Sequence, residues 1–193
     1  MEGTNEMSVE YPFFSFAAPP RTGCDHFIEA CRIAGLGKTD RIDAIRHFPK
    51  NNDGKHLRVS LVRHPCQWLG SVYAALNDFG TESSPNMHGI GTAFIVLDKS
   101  TFDDFVRSYL QMSPTGVSCL FDQYKADTRL RSEDMPWCLL ELFETFEVPK
   151  VLLGLVETYW RSKVFDVVPE WTPHLYQQVL DAEREFCEAY DYY

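Results

Sequence analysis

The residues of this chain best suited to chemistry are Arg21, Thr22 and Gly23, set between Pro19-Pro20 and the apolar-periodic Phe27, Cys31 and Ala34. The aromatic, apolar run that begins at Phe13 leads into them, so the local order reads strand, tight turn, helix. An arginine brings a fixed positive charge, a threonine a hydroxyl donor, and a glycine lets the backbone approach a ligand closely. A helix starting here adds N–H groups without partners and the positive end of its dipole, so the predicted ligand is an anion, usually phosphate. The common nucleotide-triphosphate loop, G-x-x-x-x-G-K-[ST], is not what is written. Ala18 stands at its first Gly, Cys24 at its Lys and Asp25 at its metal-binding Ser/Thr. Magnesium-dependent ATP or GTP chemistry loses ground accordingly.

Several elements must position this turn. Leu57, Val59 and Leu61 alternate with Arg58, Ser60 and Val62, the period of a strand. Pro65 then suits the first turn of a helix carrying Trp68, Leu69, Val72, Tyr73 and Leu76. Two strand-to-helix units joined through a crossover predict a parallel sheet with helices on its faces. Asp43–Phe48 reads as a short strand ended by Pro49, and Asn77–Ser100 as a long excursion over the carboxyl edge of the sheet. Thr101–Asp104 resembles a capping box before a stripe of Phe102, Phe105, Val106 and Tyr109. Residues 136–146 show a broad apolar face that includes Trp137. Thr172-Pro173 opens a last helix with Leu175, Val179, Ala182 and Phe186 inside. Arg63 and Ser71, at the strand end and in the next helix, can grip one phosphate monoester from two sides. By themselves they read equally well as a solvated charge and a small residue packed on the sheet.

Pro20-Arg21-Thr22-Gly23 resembles the 5′-phosphosulfate loop of the PAPS-dependent sulfotransferases, Pro-[Lys/Arg]-[Ser/Thr]-Gly-Thr-Thr-Trp, with Cys24, Asp25 and His26 in place of Thr-Thr-Trp. Arg63, Pro65, Ser71 and Tyr73 fall on that family's V-R-N-P…S-x-Y pattern, its 3′-phosphate site. The segment from Ile45 to Pro49 resembles its K-T-H-L-P. The resemblance implies PAPS as donor and PAP as product, held by Arg21, Thr22, Gly23, Cys24, Asp25 and His26 at the 5′ end and by Arg63 and Ser71 at the 3′-phosphate. It implies Arg21 as the cation that steadies the leaving phosphate and His47 as the general base, with Asp43 in reserve. Leu130 to Met135 resembles L-R-Y-E-D-L, with Ser132 at the Tyr that often contacts adenine; Glu133 and Asp134 read as a helix N-terminal charge pair. The basic cluster from Tyr159 to Lys163 resembles the family's C-terminal loop and places Arg161 and Lys163 near the nucleotide, although the R-K-G consensus is absent.

Composition bounds the partners. Eighteen basic against 28 acidic side chains give a formal charge of −10 over 193 residues, which argues against nucleic acid and anionic membrane surfaces. The six cysteines have no C-x-x-C spacing and read as reduced core thiols, and the histidines show no metal-cluster spacing, so no metal is expected. The first ten residues are polar and read as a flexible terminus without a leader, and no run reaches membrane-spanning length, which makes the chain cytoplasmic by expectation. The expected protein is thus a single α/β domain over residues 1–193, a central parallel sheet flanked by helices, with the P-loop-related sulfotransferase fold implied by the resemblance. The expected function is metal-independent transfer of a sulfuryl group from PAPS to a hydroxyl or amine on a small-molecule or carbohydrate acceptor, with room for a homodimer. A degenerate, non-catalytic sulfotransferase-like binding or scaffold module and a P-loop small-molecule kinase are the other readings.

Overall fold

Four strands form one sheet in the order β1 (Met7–Glu10), β2 (Phe14–Ala18), β3 (Leu57–Val62) and β4 (Thr128–Arg131). This is a computed structural model, and it describes residues 7–10, 14–36, 57–79, 97, 100–162 and 169–193. The expected parallel sheet is present as β2, β3 and β4, with Phe16 opposite Val59 and Leu61 opposite Leu130. The difference is at one edge, where β1 runs antiparallel to β2 with Met7 opposite Ala18. Met7–Glu10 falls in the stretch expected to be flexible and instead supplies this edge strand. The protein is therefore α/β, and eight α-helices accompany the sheet among the described residues.

The described chain divides into two compact units, each assembled from two stretches: Met1–Val62 with Tyr124–Phe165, and Arg63–Gln123 with Asp166–Tyr193. The first holds the sheet together with α1 (Cys24–Ile33), and two later helices numbered below in chain order. The second is helical. Its first three members are α2 (Pro65–Phe79), α3 (Phe102–Met112) and α4 (Gly116–Phe121). The first unit resumes with α5 (Trp137–Thr145) and α6 (Lys150–Arg161), and the second closes with α7 (Pro173–Ala182) and α8 (Arg184–Ala189).

In the first unit β2 is buried along its whole length, as a parallel strand covered on both faces must be. Phe14, Phe16, Val59, Leu61 and Leu130 share a core with Phe27 and Cys31 of α1, Leu139 and Phe143 of α5, and Val156 and Trp160 of α6. The Phe16 and Phe27 rings stack at 4.0 Å, which fastens α1 to the strand that precedes it. Burying one such ring contributes about 2–3 kcal/mol. α1 ends where Gly35, at φ 73°, lets the Leu36 N–H return to the Cys31 carbonyl at 3.0 Å. Trp137 departs from its expected place: it is 54% exposed, with the Arg161 guanidinium 5.4 Å above its ring, while Leu139, Leu142 and Phe143 carry the buried face of α5. Glu133 and Asp134 lie in a short 3₁₀ turn, Ser132–Asp134, ahead of α5.

In the second unit the stripe of Phe102, Phe105, Val106 and Tyr109 is buried as its spacing predicts. Thr101 Oγ1 accepts the Asp104 N–H at 3.1 Å, the expected cap. The expected last helix is broken at Glu183 into α7 and α8. The reason is local chemistry. The Glu183 carboxylate, 1% exposed, turns inward and accepts the Val117 and Ser118 N–H groups at 2.9 and 3.1 Å, together with the Tyr109 and Ser118 hydroxyls. These N–H groups open α4 and would otherwise lack partners. Cys119 also departs from expectation, being exposed where a core thiol was predicted; Cys24, Cys31, Cys66 and Cys187 are buried. Among the described residues no helix is long and apolar enough to cross a membrane.

Candidate anion-binding site

The turn between β2 and α1 lies at the carboxyl end of the three parallel strands, the edge at which open α/β sheets bind ligands. Pro19-Pro20 ends the strand, and two residues in the next three take the left-handed conformation: Arg21 at φ 61° and Gly23 at φ 89°. Glycine adopts that region freely. A Cβ placed on Gly23 would meet nothing within 4 Å, so glycine is required there by backbone conformation and not by space. For Arg21 the same region costs roughly 1–2 kcal/mol, which the surrounding turn must offset. Gly23 is the N-cap of α1 and no side chain caps the helix; its carbonyl accepts the His26 and Phe27 N–H groups at 3.0 Å.

Neutral, buried groups hold the turn in this shape. The Pro19 carbonyl accepts the Thr22 hydroxyl at 2.8 Å and the Cys24 thiol at 2.9 Å, and the two side-chain heteroatoms sit 3.0 Å apart. Thr22 is 2% exposed, so its hydroxyl, expected to face a ligand, is spent inside the loop. Burial pushes the Cys24 thiol up to about 12, with the Asp25 charge adding and the Thr22 hydrogen bond opposing, so this sulfur is a neutral donor. Asp25 is exposed in the first turn of α1, where a carboxylate suits the helix dipole. Arg32, in the last turn of α1, pairs with Glu29 at 2.6 Å.

Ser132 follows β4 directly, and its hydroxyl lies 2.8 Å from the Thr22 carbonyl and 2.9 Å from the Val62 carbonyl. One O–H shared between two carbonyls ties the loop after β2 to the end of β3. The position matched to an adenine contact thus reaches the predicted loop, through its backbone. His26 Nδ1 lies 3.2 Å from the Tyr159 hydroxyl, which joins the first turn of α1 to the last turns of α6. Burial, and then the charges of Glu29 and Asp25, raise the Tyr159 phenol above its ordinary value. The Tyr159–Lys163 cluster therefore touches the start of α1 through Tyr159. Arg161 is occupied otherwise, 2.8 Å from Glu157 and over Trp137.

Arg63 and Ser71 belong to the second unit. Arg63 is half-buried and follows Val62; Ser71 is 1% exposed within α2. His47, Asp43 and Lys163 lie outside the described residues, as does most of the Asn77–Ser100 excursion, whose first residues continue α2 to Phe79. Sequence reasoning passed over two residues. One is His64, which is buried and accepts the Cys66 N–H on Nδ1 at 3.1 Å. The other is Glu183. A single His or Glu inside an otherwise ordinary segment carries no pattern that marks it. Among the described residues no group of three His, Cys, Asp or Glu side chains is placed to hold a metal ion. Comparison with protein-family models, curated proteins and solved structures finds no match for this chain.

Proposed function

We propose that the chain is a PAPS-dependent sulfotransferase of the P-loop-related type, acting without a metal on a hydroxyl or amine of a small-molecule or carbohydrate acceptor. The observation that carries the proposal is Arg21, a cation held in the left-handed region beside the N-terminus of α1, at the carboxyl end of a parallel sheet. Strain of this kind persists where the surroundings over-determine it, and it concentrates at ligand clamps. In the proposed reaction the acceptor oxygen or nitrogen attacks sulfur, and the bond from sulfur to the bridging phosphate oxygen breaks with its electron pair leaving on PAP. The acceptor proton passes to His47, or to Asp43. Arg21 and the backbone N–H groups from Thr22 onward stabilise the charge that develops on the bridging and phosphate oxygens. Arg63 and Ser71 take the 3′-phosphate.

Calorimetric titration tests this against magnesium-dependent ATP binding. PAP binding without metal supports the proposal; binding of ATP only with magnesium points to a kinase. The inward Thr22 hydroxyl and the burial of Ser71 favour a second reading, a sulfotransferase-like module that does not turn over. Absence of all nucleotide binding would select it as a scaffold and reject the enzyme, and binding of PAP without sulfuryl transfer to any hydroxyl or amine acceptor tried would select it as a binding module.

A further inference from the structure

The second unit contains a histidine placed to act through its neighbour. His64 immediately precedes Pro65, the first residue of α2, and its carbonyl accepts the Trp68 N–H at 2.8 Å. It is therefore the N-cap of α2, and its Nδ1, accepting the Cys66 N–H at 3.1 Å, does what an Asn or Ser oxygen usually does at that position. An Nδ1 that accepts carries no proton, so Nε2 bears it and donates toward the Tyr176 hydroxyl of α7, 3.3 Å away. Two rings confine the imidazole: Tyr176 lies nearly parallel at 5.8 Å, and Tyr192 stands edge-on at 5.1 Å. The ring cannot rotate out of this slot without losing both nitrogen contacts. A residue before proline is in addition restricted to extended backbone, so both the side chain and the main chain of His64 are held.

We propose that His64 is a positioning residue for Arg63: by capping α2 from within an aromatic slot, it sets the direction in which the preceding arginine meets a 3′-phosphate. The proposal rests on the reading of Arg63 given above. An arginine side chain has many rotamers, and ordering it on a ligand has an entropic cost. Fixing the backbone one residue away removes part of that cost, and it acts on the 3′-phosphate contact alone. The second nitrogen explains why histidine stands where asparagine would cap equally well, since only the ring reaches Tyr176 while holding Cys66.

The test compares His64→Phe, His64→Asn and Arg63→Ala by calorimetry with PAP and with adenosine 5′-phosphosulfate, which has no 3′-phosphate. His64→Phe keeps the ring and removes the acceptor. It is expected to weaken PAP binding about three- to tenfold, the size of a lost cap, with adenosine 5′-phosphosulfate affinity unchanged. His64→Asn is expected to restore PAP affinity to within about twofold. A residue that only supports the fold would weaken both ligands alike or neither. If Arg63→Ala discriminates between the ligands and His64→Phe does not, the inference is overturned while the reading of Arg63 stands; if Arg63→Ala does not discriminate, both fall. Should His64→Phe fail to fold, ¹⁵N spectroscopy of the unaltered chain decides: an unprotonated Nδ1, with PAP affinity kept in His64→Asn, supports the assignment, and a protonated Nδ1 or an affinity lost in His64→Asn overturns it.

Discussion

The two ends of the parallel sheet are tied by opposite chemistry. At the amino end Arg58 and Asp127 clamp β3 to the start of β4. The Arg58 N–H reaches Asp127 Oδ2 at 2.9 Å, the Asp127 N–H returns to the Arg58 carbonyl at 2.9 Å, and the guanidinium meets the carboxylate at 2.5 Å. These side chains are 36% and 40% exposed, so water and salt screen them. At the carboxyl end the ties are neutral and mostly buried: Thr22 and Cys24 on the Pro19 carbonyl, and Ser132 between Thr22 and Val62. Neutral ties hold the turn that carries the Arg21 cation, and under the proposed function this is the end that meets the ligand.

The sharpest way to break this contrast is Arg21→Gly. Removing a charge-assisted contact should weaken PAP binding about tenfold or more, while stability stays level or rises by up to about 1 kcal/mol as the left-handed strain is relieved. Calorimetry and guanidinium melts read the two effects separately. Unchanged affinity with reduced stability would make Arg21 a structural residue. Ser132→Ala should come next, costing about 1–2 kcal/mol because it leaves two carbonyls with a lost donor. It should also loosen the loop enough to lower PAP affinity severalfold. A variant as stable as the parent would show that the strand ends hold without it.

Raising the pH attacks the same end through Cys24. Its folded value is raised to about 12 from an ordinary 9, so its contribution is fully present below pH 9 and is lost progressively as the pH climbs toward 12. By pH 10 the loss from this group should be about 1 kcal/mol, added to the losses from the other buried thiols Cys66, Cys138 and Cys187, so urea midpoints at pH 8 and pH 10 should differ by about 1 kcal/mol less in Cys24→Ala than in the parent. The smallest effect belongs to the amino end. The Arg58 side chain and N–H hold the Asp127 carboxyl below its ordinary value, so this tie is present above the ordinary carboxylate range and disappears as acid protonates it. Asp127→Asn should cost less than about 1 kcal/mol, and less still in 1 M salt. A larger, salt-independent loss in a melting experiment would mean that the two ends do not differ as described.

Local regularities were legible in the chain before any fold was known. The stripe of α3 and its Thr101 cap, the alternation of β3, and the Pro19–Gly23 turn opening α1 each depend on neighbours within a few residues. Less local features were misread for identifiable reasons. Trp137 fits the apolar period of α5 yet lies outside, since Leu139, Leu142 and Phe143 already fill the face turned to the core, and its ring meets Arg161 of α6 instead. The last helix looks continuous from Leu175 to Phe186, but Glu183 gives up helical geometry to cap α4, 65 residues back along the chain.

By itself, then, the sequence determined that a strand, a glycine turn and a helix would follow one another at residues 14–33, because steric freedom at Gly23, the prolines before it and the apolar spacing after it act over a single turn of chain. Only the tertiary structure decided which groups of that turn point inward. It turned the Thr22 hydroxyl inward, buried Ser71, and brought Ser132 to Thr22 across 110 residues. A hydroxyl has no preferred partner in sequence; it bonds to whichever buried carbonyl the packed strands leave within reach, since a carbonyl left without a donor costs more than any local preference.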